Sequence, residues 1–150
     1  MTDSRRDFPG MTKTPIIENV LLVDDEREFV NTVAERLQTR EITATVAHSG
    51  EAALSAMNSR PVDVVVLDLK MPGMDGMEVL KRIRTTHPDV EVIMLTGHGS
   101  AGEERTAVEL GVFAYLSKPQ NIDFLAKLIR QAYDRRNPQV GRRCDVVADV

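Results

Sequence analysis

A chain of 150 residues and 16.7 kDa, 42% hydrophobic and 28% charged, has the length and composition of one globular domain with its own core and is too short for two ordinary ones. Its 19 basic and 23 acidic residues give a formal charge of −4 and a pI near 5.4, which argues against direct nucleic acid binding by the folded body. No apolar segment approaches the roughly 20 residues needed to cross a bilayer, no apolar stretch follows the two N-terminal arginines as in a secretory signal, and the single Cys144 excludes an internal disulfide and a thiolate zinc site. A cytoplasmic protein with no membrane association is expected.

Residues 1–15 are polar, with Pro9, Gly10 and Pro15, and read as a disordered leader in which Met11 is an alternative start. Residues 19–23 carry the apolar run VLLV, a short buried strand that stops at Asp24 and Asp25. Residues 26–39 then place Phe29, Val33 and Leu37 at helical spacing. Ile42, Ala44 and Val46 alternate with threonines, the pattern of an edge strand. Ser49 can cap the next helix, whose core formers are Ala52, Ala53, Ala56 and Met57.

Residues 64–67 are β-branched and apolar, a strand buried on both faces, and the run ends at Asp68. Pro72 and Gly73 supply a turn; Asp75 with Glu78 offers a capping box ahead of a helix presenting Val79, Leu80 and Ile83. Residues 92–95 form a third apolar strand ending at Thr96. Ser100 and Glu103 offer another capping box, and Gly111 closes that helix. A last strand over 113–116 ends in Ser117, Lys118 and Pro119, and Asn121 caps a final helix with Ile122, Leu125, Ile129 and Tyr133 on its core face. Residues 16–136 therefore make the domain, and 137–150 read as tail or linker.

Five strands alternating with five helices predict a doubly wound parallel α/β sheet. With three all-apolar strands in the centre and the alternating one at an edge, the strand order is 2-1-3-4-5, a flavodoxin-like (βα)5 fold. All strands of a parallel sheet finish on one edge, so Asp24, Asp25, Asp68, Thr96 and Lys118 become neighbours. Three carboxylates there repel; at about 5 Å and an effective dielectric near 20, each pair costs on the order of 3 kcal/mol. Lys118 brings one positive charge, and a divalent ion with hard oxygen ligands, Mg2+, resolves the remainder. A carboxylate nucleophile, a metal, a hydroxyl and an ammonium together suit phosphoryl transfer.

The pieces VDD at 23–25, LDLKMPGMDG at 67–76, LTGHG at 95–99 and FAYLSKP at 113–119 together resemble the receiver domain (CheY-like) of bacterial two-component response regulators, over residues 20–135. The resemblance implies that Asp68 is the phosphoacceptor, charged by a sensor histidine kinase or phosphotransfer protein. It implies that Asp24, Asp25, Asp68 and the backbone carbonyl of Lys70 hold Mg2+. Lys118 would pair with the phosphoryl group beside a cis bond to Pro119, the Thr96 hydroxyl would meet a phosphate oxygen, and Tyr115 would be the aromatic switch residue. Phosphorylation would then shift the face built by the fourth helix, fifth strand and fifth helix, where a downstream partner, an output domain or a second copy in a homodimer docks. Lys70 and His98 stand at variable positions expected to tune the lifetime of the phosphate. The chain would be a switch with at most slow autophosphatase activity, not an enzyme acting on other substrates. No helix-turn-helix, GGDEF-like or ATPase segment is recognisable after residue 136, so it reads as a stand-alone receiver or one excised from a longer protein.

Two alternatives stand beside this. Gly97, Gly99 and Gly102 spell the G-x-G-x-x-G of a dinucleotide-binding protein, but Lys118 occupies the place of the acid that would hold the ribose. A haloacid-dehalogenase-like phosphatase also uses an aspartyl nucleophile with Mg2+, but it needs an acid two residues after the nucleophile, where Lys70 stands. The plainer readings are that Asp25 caps the first helix, Lys118 makes a surface ion pair and Tyr115 fills core.

Overall fold

The computed structural model describes residues 16–138; the expected leader, most of the expected tail and Cys144 lie outside them. Ten elements alternate along the chain: β1 Ile17–Val23, α1 Arg27–Gln38, β2 Ile42–Ala47, α2 Gly50–Ser59, β3 Val64–Leu67, α3 Gly76–Thr86, β4 Glu91–Thr96, α4 Ala101–Glu109, β5 Ala114–Ser117 and α5 Ile122–Arg136. The strands are parallel in the order β2-β1-β3-β4-β5, the flavodoxin-like arrangement expected from the apolar runs.

The period of two along a strand explains why there are two cores. Leu21, Val23, Val65, Leu67, Val92 and Met94 face the helices that supply Ala53, Met57, Leu80, Ile83 and Ala107. The intervening Val20, Leu22, Val64, Val66, Ile93 and Leu95 face α1 and α5, which supply Val30, Leu37, Leu125 and Ile129. Every residue of β3 is buried, because it has a strand on each side and helices on both faces. The edge strands β2 and β5 are only partly covered, which matches their more polar sequences.

Several boundaries differ from the sequence reading: β4 already begins at Glu91, and β5 lies one residue later than expected, at Ala114–Ser117. β1 starts at Ile17, which pairs with Ile42, and the strand is interrupted by a bulge at which Asn19 takes φ 68. Asparagine tolerates that left-handed conformation better than most residues, and the polar Glu18 and Asn19 hide the strand's first turn from a search for apolar runs. The N-cap of α1 is Glu26, not Asp25, and its own side chain makes no capping bond. The expected caps Ser49, Asp75, Ser100 and Asn121 all accept from backbone N–H groups of the first helical turn; Ser100 with Glu103 completes its capping box, whereas the box expected at Asp75 is left half made because the Glu78 carboxylate pairs with Arg82.

Candidate acidic phosphoryl-transfer site

The hydrogen-bond ladder of the sheet runs on past the strands and so brings their exits together. Asp24 N–H donates to the Ala47 carbonyl at 3.1 Å, Asp68 N–H to Val23 at 2.9 Å, and Lys118 N–H to Thr96 at 3.0 Å. Asp24, Asp68 and Thr96 are the buried polar side chains among the described residues, at 4%, 4% and 2% exposure. One carboxylate oxygen from each of Asp24, Asp25 and Asp68 lies within 4.8 Å of the other two.

Lys118 reaches into this cluster from β5. Its Nζ donates to Asp24 Oδ2 at 2.6 Å and to Glu26 Oε1 at 2.8 Å, and stands 3.8 Å from Asp68 Oδ1. Asp24 is held from the other side by the Glu26 N–H, which donates to its Oδ1 at 2.9 Å. Asp68 Oδ1 is buried and has no hydrogen-bond partner among the described residues. Burial, seconded by the Asp24 carboxylate, pushes the Asp68 carboxyl above its ordinary pKa, while Lys118, the Thr96 hydroxyl and the Leu69 N–H pull it back. For Lys118 burial works against the charge, but the Asp24 and Glu26 carboxylates outweigh it and the pKa is raised. Lys118 holds the exposed Glu26 below the usual carboxylate range.

The site therefore carries more negative than positive charge, gathers three carboxylates and includes a buried oxygen without a hydrogen bond among the described residues. That is a donor set for a small hard cation, and Mg2+ with its oxygen preference fits it.

Around the cluster, the remaining residues fall into place by contact. Lys70 lies in the loop leaving β3; its side chain is exposed and its Nζ pairs with Glu103 Oε2 of α4 at 2.8 Å. Glu103 Oε1 in turn accepts from the Ser100 N–H and hydroxyl, so one carboxylate ties the acceptor loop to the start of α4. Thr96 Oγ1 accepts from the His98 N–H at 3.2 Å. The Lys118–Pro119 peptide bond is cis.

Tyr115 points its buried hydroxyl at Gly99, where a Cβ would lie 1.8 Å from the Tyr115 oxygen. Gly99 is thus the residue that lets the ring lie inward. Burial pushes the Tyr115 hydroxyl pKa up. Gly76 has a similar duty beneath Asp68: a Cβ there would fall 2.1 Å from the Asp68 carbonyl oxygen and 2.7 Å from Leu69 Cα, both backbone atoms.

Sequence reasoning brought Asp24, Asp25, Asp68, Thr96 and Lys118 to one edge but missed Glu26 and Phe29. Glu26 is a partner of Lys118. Phe29, read as the first residue of a core stripe, is half-buried with its ring 4.5 Å from Lys118 Nζ. The available signal was its position four residues after Asp25, one helical turn back toward the acids.

The family model described as "Response regulator receiver domain" matches residues 20–130. Over 125 residues the chain is 35% identical to the transcriptional regulatory protein GlrR of Escherichia coli, covering 83% of this chain and 28% of that protein. Over 114 residues it is 40% identical to the transcriptional regulatory protein CpxR of the same organism, covering 76% of this chain and 48% of that one. Among solved structures, a response regulator receiver domain protein from Clostridium thermocellum superposes with a TM-score of 0.75 at 31% identity, covering 82% of this chain and 98% of that one. The chain thus spans about a quarter to a half of these curated relatives and nearly all of an isolated receiver.

Proposed function

The chain belongs to the response regulator receiver domain family, and from that premise we propose that Asp68 accepts a phosphoryl group from the phosphohistidine of a sensor kinase or phosphotransfer protein in the cytoplasm. A carboxylate oxygen of Asp68 forms the bond to phosphorus as the bond to the donor imidazole nitrogen breaks, and the imidazole leaves and takes a proton. Asp24, Asp25, Asp68 and the Lys70 carbonyl would hold Mg2+, which would supply charge neutralisation at the phosphoryl oxygens. Lys118 keeps an ammonium 3.8 Å from Asp68 Oδ1, close enough to serve an incoming phosphate oxygen with the N–H that Asp24 and Glu26 do not take. The Thr96 hydroxyl would meet a second phosphate oxygen.

The observation that carries this reading is the buried Asp68 Oδ1, without a hydrogen bond among the described residues, beside two further carboxylates and the Lys118 ammonium. Added charge at Asp68 biases Thr96, the Gly99 loop and Tyr115, and through them the α4-β5-α5 face. Exposed Val108 on α4 and Phe124 on α5, at 59% and 44%, favour that face as a docking surface for a partner, an output domain or a second copy. The chain itself would release the phosphate slowly at most.

Acetyl phosphate with Mg2+ should add one phosphoryl group by intact mass, and Asp68→Asn should abolish it. Persisting label in the variant rejects Asp68 as acceptor.

A further inference from the structure

We infer that Phe29 is a positioning residue for phosphoryl transfer, its ring face holding the Lys118 ammonium over the crevice; this rests on the reading of Asp68 as acceptor. Lys118 Nζ lies 4.5 Å from the centroid of the Phe29 ring, within the range of a cation–π contact. The ring comes from the first turn of α1 and packs at the margin of the core on that side of the sheet. The lysine side chain is only 13% exposed, so the contact is largely shielded from water and from salt.

The other groups around the ammonium explain why an aromatic face is useful there. Asp24 and Glu26 each take one N–H of Lys118, and Asp68 lies beyond hydrogen-bond reach. Glu26 is 62% exposed and draws the ammonium toward the mouth of the crevice. A further carboxylate would consume the last donor and add negative charge where it is already in excess. The ring does neither: it attracts the cation without accepting a directed hydrogen bond and brings no net charge. One N–H is left for the phosphoryl oxygen, and the ammonium does not have to be gathered from solvent as the transition state forms.

The test uses the full chain with acetyl phosphate and Mg2+. Phe29→Leu keeps an apolar side chain and removes the ring face; Phe29→Trp keeps a face of stronger attraction, and Phe29→Tyr serves if the larger ring disturbs folding. The leucine variant should label about fivefold more slowly at saturating acetyl phosphate, the factor a partly shielded cation–π contact converts to, with the half-saturating concentration unchanged. Trp or Tyr should restore the wild-type rate. In NMR spectra the ε-methylene of Lys118 should be displaced upfield by the ring in the wild type and return toward its ordinary position in Phe29→Leu. A wild-type rate in the leucine variant, equal slowing in all three variants, or no ring-current displacement in the wild type overturns the inference. A wild type that takes no label at all would instead strike the reading of Asp68, and the NMR measurement would still decide the ring contact.

Discussion

The two edges of the sheet handle the same kind of side chain in opposite ways. At the edge where the strands begin, Asp63 and Glu91 are each met by an arginine from the last turn of α5: Arg135 Nε is 3.2 Å from Glu91 and Arg136 Nε 3.8 Å from Asp63. Their backbones are locked as well, with Asp63 N–H donating to Asn19 and Glu91 N–H to Asp63. At the edge where the strands end, Asp24, Asp25 and Asp68 crowd together, and the close cation is the shared Lys118. Carboxylates matched one to one by arginines tie a helix down. Carboxylates left in excess wait for a ligand, and the surrounding fold must supply the stability they lack.

The sharpest way to break this contrast is to remove the shared cation. Lys118→Met strands two nearly buried carboxylates, Asp24 and Asp68, and should lower stability by about 3 kcal/mol, read by urea unfolding with a chelator present. A loss as small as that of a surface ion pair would mean that the strand-end acids are already balanced by something else.

Removing a carboxylate instead should have the opposite sign. Without divalent cation, Asp68→Asn should melt about 5 °C higher, near 1 kcal/mol for a domain of this size. The Asp68 pKa is raised in the folded protein, so between the unfolded and folded values the native state binds more protons than the unfolded chain. Stability of the wild type therefore declines as pH climbs through that interval and levels off above it. The advantage of Asp68→Asn should be absent below the ordinary carboxylate range and grow to a plateau as pH rises; an advantage that shrinks with pH would contradict the burial of this acid. At the other edge, Arg135→Ala should cost less than about 1 kcal/mol, because the arginine is 65% exposed and Glu91 keeps its backbone bonds. A larger loss in thermal melts would show that this edge, too, depends on single charges.

The same contrast sets what could be read from the residues alone. Strand order and the gathering of Asp24, Asp68, Thr96 and Lys118 were legible because each apolar run stops at polar residues, and parallel strands end together. The arginine clamps were not, since Asp63 and Glu91 sit at the very starts of their strands without a pattern, and Arg135 and Arg136 look like the solvated end of a helix. Phe29 was visible only as part of a stripe with Val33 and Leu37; period tells which side of a helix is apolar, not which member of that side reaches over the rim to a cation. Gly99 and Gly76 were visible as glycines in motifs, but their duties depend on atoms of Tyr115 and Asp68 brought close by the fold.

Lys118 lies 94 residues after the Asp24 it neutralises. During synthesis the ribosome therefore releases every acid of the crevice well before the lysine that makes them tolerable together. A nascent chain stopped in α4 would hold the acids without their counter-charge, and the ability to carry a signal would arrive only with the last strand.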